Sequence, residues 1–170
     1  MANNLKLNPV GVDKEIADLQ TSIYNQLGYS NIEGYGRCYL IKDKNQKLIP
    51  AHFVKGKDYV EVLPNDKNSS NGHFFFMTSE KSKFEKKQAS VETDIYFLLN
   101  IEKLKPGILH RADEEVLEDI IGIIEKYKFF SINEFVKGEK ALEDFKSDLL
   151  DMQPYFFLKI TGTIKYQFNC

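Results

Sequence analysis

An α+β fold on a mainly antiparallel β-sheet is predicted by three features of the sequence. Two stretches with apolar residues at alternate positions, near 91–101 and 156–168, read as long strands. Two stretches of helical period, at 12–27 and 112–128, read as amphipathic helices. Between them lie short apolar runs separated by connections of hairpin length. The expected architecture is a sheet flanked by an N-terminal helix and a well-buried helix near 112–128.

Taken in order, residues 3–11 are polar with one proline, and residues 1–11 are expected to be a flexible arm on a single domain spanning 1–170. Val12, Ile16, Leu19, Ile23 and Leu27 then form one stripe of a helix that Gly28 stops. Asp13, Lys14, Glu15 and Asp18 fall mostly on its other side, with the acids near the positive end of the helix dipole. Short strands are expected at 37–41, 48–54 and 59–63, with Pro50 making the second of them an edge strand or one that starts irregularly. Residues 64–72 are almost pure turn chemistry and predict a loop. A short apolar run follows at 73–78, and the lysine-rich 79–88 reads as a solvated loop.

In the later half, Val91, Thr93, Ile95, Phe97, Leu99 and Ile101 share one strand face, while Tyr96 and Leu98 make the other face apolar too. That pattern predicts a central strand covered on both sides. The helix at 112–128 carries Val116, Leu117, Ile120, Ile121, Ile123, Ile124 and Tyr127 on about half its circumference. A shorter helix is expected at about 139–149, with Leu142, Phe145 and Leu149 on one face. The last strand sets Phe156, Leu158, Ile160, Ile164, Tyr166 and Phe168 against Lys159, Thr161, Thr163, Lys165 and Gln167, so one of its faces should be wet. Gly162, in register with the apolar face, marks a bulge or a close backbone approach.

Composition excludes several classes. With 42% apolar and 28% charged residues, the chain of 170 residues has the balance of a folded domain, not of a disordered one. A formal charge of −2 gives no long-range attraction to nucleic acid or anionic membrane. No membrane span or signal-peptide core is visible. Cys38 and Cys170 read as free thiols in a reducing compartment. The 13 Phe and 9 Tyr exceed what a core alone asks for and suit an extensive interface.

Residues that carry chemistry are few and scattered. His52, His73 and His110 lie outside metal-ligand spacing of one another and of the cysteines, so no metal site is expected. His73 reads as a strand-end residue, and His110 with Arg111 as part of a connection. Cys38 reads as a small buried hydrophobe, not a nucleophile. Gly34-Tyr35-Gly36 lacks the lysine and hydroxyl residue of a phosphate loop, and no dinucleotide fingerprint or nucleophile elbow is present. Asp113, Glu114, Glu115, Glu118 and Asp119 are explained by a helix start and its polar face. Lys81, Lys83, Lys86 and Lys87 near Phe84, and Lys42, Lys44 and Lys47, are local basic runs. Acids are interspersed and arginine occurs only at Arg37 and Arg111, so solvated loops account for these runs better than a nucleic-acid surface. No catalytic residue, cofactor or metal is expected; the protein reads as one that binds other proteins.

Several phrases carry a resemblance. They are Val12-Asp13-Lys14-Glu15-Ile16, Tyr35-Gly36-Arg37-Cys38-Tyr39, Ile49-Pro50 with Lys55-Gly56-Lys57-Asp58-Tyr59, Arg111-Ala112-Asp113-Glu114-Glu115, and Gln153-Pro154-Tyr155. Together they resemble the tail-terminator, or tail-completion, proteins of tailed phages, in a form carried by prophages of the Bacteroidetes type. The resemblance implies a structural subunit that assembles as a homo-oligomeric ring, a hexamer in the expected form. Such a ring caps the tail tube and meets head-tail connector proteins, first in the host cytoplasm and then in the virion. It implies no enzyme activity, and the loops at 64–72 and 79–88 and the terminal strand become the expected contact surfaces. The competing reading is a monomeric accessory or binding module that touches nucleic acid through its lysines, with a small enzyme as a more distant third.

Overall fold

The computed structural model describes residues 2–63, 70–145 and 154–168. The chain opens with strand β1 (Ala2–Asn4) and helix α1 (Val12–Leu27). Strands β2 (Ile32–Arg37), β3 (Tyr39–Lys42), β4 (Leu48–Val54) and β5 (Asp58–Glu61) follow. The long strands β6 (Gly72–Glu85) and β7 (Gln88–Asn100) come next, then the single turn α2 (Ile101–Leu104) and helix α3 (Asp113–Ile124). Strand β8 (Phe130–Lys137), a 3-10 turn (Gly138–Leu142) and strand β9 (Tyr155–Gln167) complete it. The fold is α+β, with a six-stranded sheet ordered β1-β2-β6-β7-β9-β8 and a three-stranded sheet ordered β3-β4-β5. Antiparallel pairing dominates; among the described residues only β1–β2 and β2–β6 run parallel.

The large sheet is covered on both faces. On one face α1 and α3 bury Ile16, Leu19, Ile23, Val116, Ile120 and Ile124 against Phe74, Phe97, Leu99, Leu158 and Ile160. On the other, Phe75, Tyr96, Leu98 and Phe157 lie beneath Cys38, Val62, Leu63, Ala141, Leu142 and Phe145. Cross-strand rings clamp β6 to β7 on each side: Phe74 stacks on Phe97 at 5.7 Å, and Phe75 on Tyr96 at 5.1 Å. The both-faces-apolar pattern of β7 is therefore that of a central strand. Tyr96 Oη also donates to Asp144 at 2.6 Å, and Lys159 reaches the same carboxylate at 2.7 Å, which moors the 3-10 turn to the sheet.

The structure departs from the sequence reading in several places. Of the expected arm, Ala2–Asn4 joins the sheet as its outermost strand, pairing with Glu33, Gly34 and Tyr35. Strand β2 was not expected; it covers the Gly34-Tyr35-Gly36 cluster and ends at Arg37, where the first strand was expected to begin. Gly34 is required there because a Cβ would stand 2.6 Å from Phe74 Cζ. Residues 79–88, expected as a loop, are the arms and turn of the β6–β7 hairpin, with Lys86 and Lys87 at positive φ in its two-residue turn. Strand β8 was not expected. A bulge between Ile132 and Glu134 shifts its alternation midway and hides the period of two. The helix expected at 139–149 is a 3-10 turn over Gly138–Leu142, and residues 146–149 lie outside the described residues. So do most of the loop at 64–72, and Cys170.

Strand β9 runs between β7 and β8, so the terminal strand presents no open edge over most of its length. This corrects the expectation that it extends a sheet across a subunit boundary. Gly162 faces the Phe130 ring at the β8 bulge, and an added Cβ would stand 2.6 Å from the Ser131 carbonyl oxygen. The Gly162→Ala variant is expected to lose about 2–4 kcal/mol of stability in urea denaturation, because backbone on one side and an aromatic ring on the other leave no room to relax.

Candidate functional site: an aromatic groove beside the small sheet

The site is built where the small sheet roots on the large one. Strand β4 is the middle strand of its sheet, so Pro50 is not at an edge. Val62 N–H donates to the Pro50 carbonyl at 3.1 Å, and the reciprocal bond would need the N–H that proline lacks. The Val62 carbonyl is served instead by His73 Nδ1 at 2.6 Å, while His73 Nε2 meets the Ser70 hydroxyl at 2.6 Å. With Nδ1–H donating, Nε2 is the acceptor and Ser70 Oγ–H the donor. His73 is 0% exposed, and burial lowers its pKa against the opposing pull of the Val62 carbonyl and the Glu33 charge. The Tyr35 ring stands between His73 and His52, at 5.8 and 5.7 Å. Sequence spacing gives no sign that these two histidines share a neighbour.

Beyond this root the small sheet leaves its cover. Ile49 and Ala51 are buried, but Tyr39, Phe53 and Tyr59 are 41%, 52% and 46% exposed. Phe53 pairs with Tyr59 across β4 and β5, with ring centroids 5.5 Å apart, and Tyr39 meets Tyr59 at 6.1 Å. These rings form one wall of a groove of about 650 Å³. Leu5 and Leu7 of the N-terminal segment line the same groove, together with Ile16, Ala17, Gln20 and Gly36.

Charge is set beside the rings. Asp13, 8% exposed, meets Arg37 Nε at 3.0 Å and the tip of the same guanidinium at 3.2 Å, and it also pairs with Lys6. Arg37 in turn stacks over Tyr39 at 5.4 Å. The sequence reading put Asp13 among the solvated acids of the helix start. Its burial follows from the parallel β2 strand, which brings Arg37 against the first turn of α1. One acceptor at the groove, Gln20 Oε1, has no partner among the described residues. The Gln20 amide nitrogen is fixed by Asn3 Oδ1 at 2.7 Å and the Asn4 carbonyl at 3.3 Å, which turns its oxygen towards Gly36.

The other sequence candidates fall elsewhere. Cys38 is buried under the large sheet, with its thiol pKa pushed up by burial. His110 pairs with Glu115 at 2.7 Å and Arg111 with Asp113 at 2.7 Å, beside a second cavity of about 470 Å³ next to α2. Glu114 pairs with Lys137, and Asp119 with Tyr29 and Lys105, so these acids brace α3 against its neighbours. Lys81, Lys83, Lys86 and Lys87 line the projecting hairpin, whose Phe84 meets Phe168 at 5.9 Å. Among the described residues, no group of three or more His, Cys, Asp or Glu comes together that could hold a metal ion. No described helix is long and apolar enough to cross a membrane.

No protein-family model and no curated protein matches the chain.

Burial depresses the pKa values of both His73 and His52 below the ordinary value near 6.5. The unfolded chain then binds more protons than the native one once the pH falls below that value. Stability present above about pH 6.5 is expected to be lost as the pH falls towards the depressed values. His73→Phe should cost about 2–4 kcal/mol at pH 7.5, by stranding the Val62 carbonyl and the Ser70 hydroxyl. It should also flatten the stability profile between about pH 5 and 7 in urea titrations.

Proposed function

We propose that this chain is a structural subunit that works by protein–protein contact, and that its specific role is that of a tail-terminator or tail-completion subunit assembling as a ring. The observation that carries the general reading is a three-stranded sheet with exposed apolar side chains on both faces. Strand alternation puts Tyr39, Phe53 and Tyr59 on one face and Leu40 and Val60 on the other. Leu40 and Val60 are 40% and 41% exposed. Of the twelve large apolar side chains exposed among the described residues, eight (Leu5, Leu7, Val10, Tyr39, Leu40, Phe53, Tyr59 and Val60) lie on this sheet or on the N-terminal segment before α1. Such a concentration marks an interaction surface, because burying a half-exposed aromatic contributes about 1–2 kcal/mol that the isolated chain forgoes.

The terminator form of the reading rests on the resemblance of the sequence phrases, and the tail tube and head-tail connector proteins are the partners it names. In a ring each subunit offers two different surfaces to its neighbours, and the two faces of the small sheet are suited to that head-to-tail use. A second reading is favoured by the hairpin: four lysines and the exposed Phe84 project on one β-ribbon, an arrangement that can touch phosphates and stack on bases.

Light scattering over a range of concentration and salt tests the ring. A discrete species several times the 19.7 kDa chain mass is expected, shifting towards the single chain when Leu40 and Val60 are both changed to Ser with the circular dichroism spectrum retained. A single chain at every concentration overturns the ring. Salt-dependent binding of a DNA oligonucleotide, lost in Lys83→Glu/Lys86→Glu, would establish the second reading in its place.

A further inference from the structure

Three cations (Lys6, Arg37 and Lys55) and one acid (Asp13) line the groove, which leaves it a net charge of +2. Asp13 is already engaged by Lys6 and Arg37 together, so the charge on offer to an occupant is positive. Tyr39, Phe53 and Tyr59 line the groove and are exposed, and so are Leu5 and Leu7. Gln20 Oε1 is an acceptor with no partner among the described residues, on a side chain that is 0% exposed and whose amide nitrogen is fixed. An occupant that satisfies all three features brings an apolar anchor, carboxylates beside it and an N–H donor.

From this geometry we infer that the groove is the docking site for an extended acidic segment of a partner protein, with an aromatic or leucine side chain seated against the Tyr39, Phe53 and Tyr59 rings and Leu5. A backbone N–H of the segment faces Gln20 Oε1, and its carboxylates face Lys55 and the outward side of Arg37. A basic segment is rejected by the same charges. A nucleic acid would satisfy the cations and stack on the rings, but its sugar-phosphate backbone carries no N–H donor for Gln20 Oε1. The inference rests on the protein-contact reading of the small sheet and needs no self-association.

Fluorescence anisotropy on the full chain tests it, with a fluorescein-labelled decapeptide carrying one Phe and one Leu among Asp and Glu residues. The control is the same peptide with Lys in place of every acid. The acidic probe is expected to saturate with a Kd below about 1 mM, and the lysine probe to bind at least about tenfold more weakly. Phe53→Ser should weaken the acidic probe by about tenfold, and Lys55→Glu should weaken it while narrowing the preference over the lysine probe. Failure to saturate, equal binding of both probes, or affinity unchanged by both substitutions overturns the inference. Displacement of the probe by a single-stranded oligonucleotide of equal or better affinity overturns it in favour of a nucleic-acid site. A chain that is single by light scattering yet binds the acidic probe loses the ring and keeps the groove. An oligomer that ignores the probe does the reverse.

Discussion

The architecture depends on the need to cover both faces of the β6-β7-β9 centre. Strand β7 is paired along its whole length on both sides, and its inner residues are buried above and below. A strand in that position exposes apolar side chains in two directions, so two separate layers must be recruited. Helices α1 and α3 supply one. The other is assembled from short pieces: Cys38, Val62 and Leu63 from the roots of the small sheet, and Ala141, Leu142 and Phe145 from the 3-10 turn and the residues after it. Because the second layer is pieced together, the small sheet is held only at its root.

That root is secured by a substitution of hydrogen-bond donors. Pro50 cannot complete its pair with Val62, and His73, already fixed in β6, supplies the missing donor. The bond crosses from one sheet to the other, so a defect inside the small sheet becomes its attachment to the large one. Burying the imidazole in this role disfavours its charged form and makes the attachment sensitive to acid. Outside the attachment, Tyr39, Phe53 and Tyr59 project beside α1, and the groove between them and the N-terminal segment is a consequence of where the cover ends.

Much of the fold was legible. Helix α1 has the predicted bounds because its stripe of Val12, Ile16, Leu19, Ile23 and Leu27 is unbroken, and Gly28, at φ 62°, ends it in the left-handed region. Strands β7 and β9 followed from sustained alternation. Less was legible wherever a partner strand supplied the reason for a conformation. Gly34 gives no strand signal until the Phe74 ring beside it is known, and β8 hides its alternation behind the bulge between Ile132 and Glu134. The lysines of 79–88 read as a loop because their strand is stabilised by pairing with β7 and not by any buried face of its own.

The sequence by itself determined the fold class, the principal helices, the two central strands and the burial of Cys38, all of which follow from local periodicity and side-chain type. Tertiary structure alone decided that Asp13 lies buried against Arg37, that His73 completes the bond Pro50 leaves open, and that Tyr39, Phe53 and Tyr59 form the wall of one groove. Periodicity reports which face of an element is apolar, because that face must leave water. It does not report whether the chain has enough cover for every such face, since that depends on which distant segments are brought over it. Here the cover ends at the root of the small sheet.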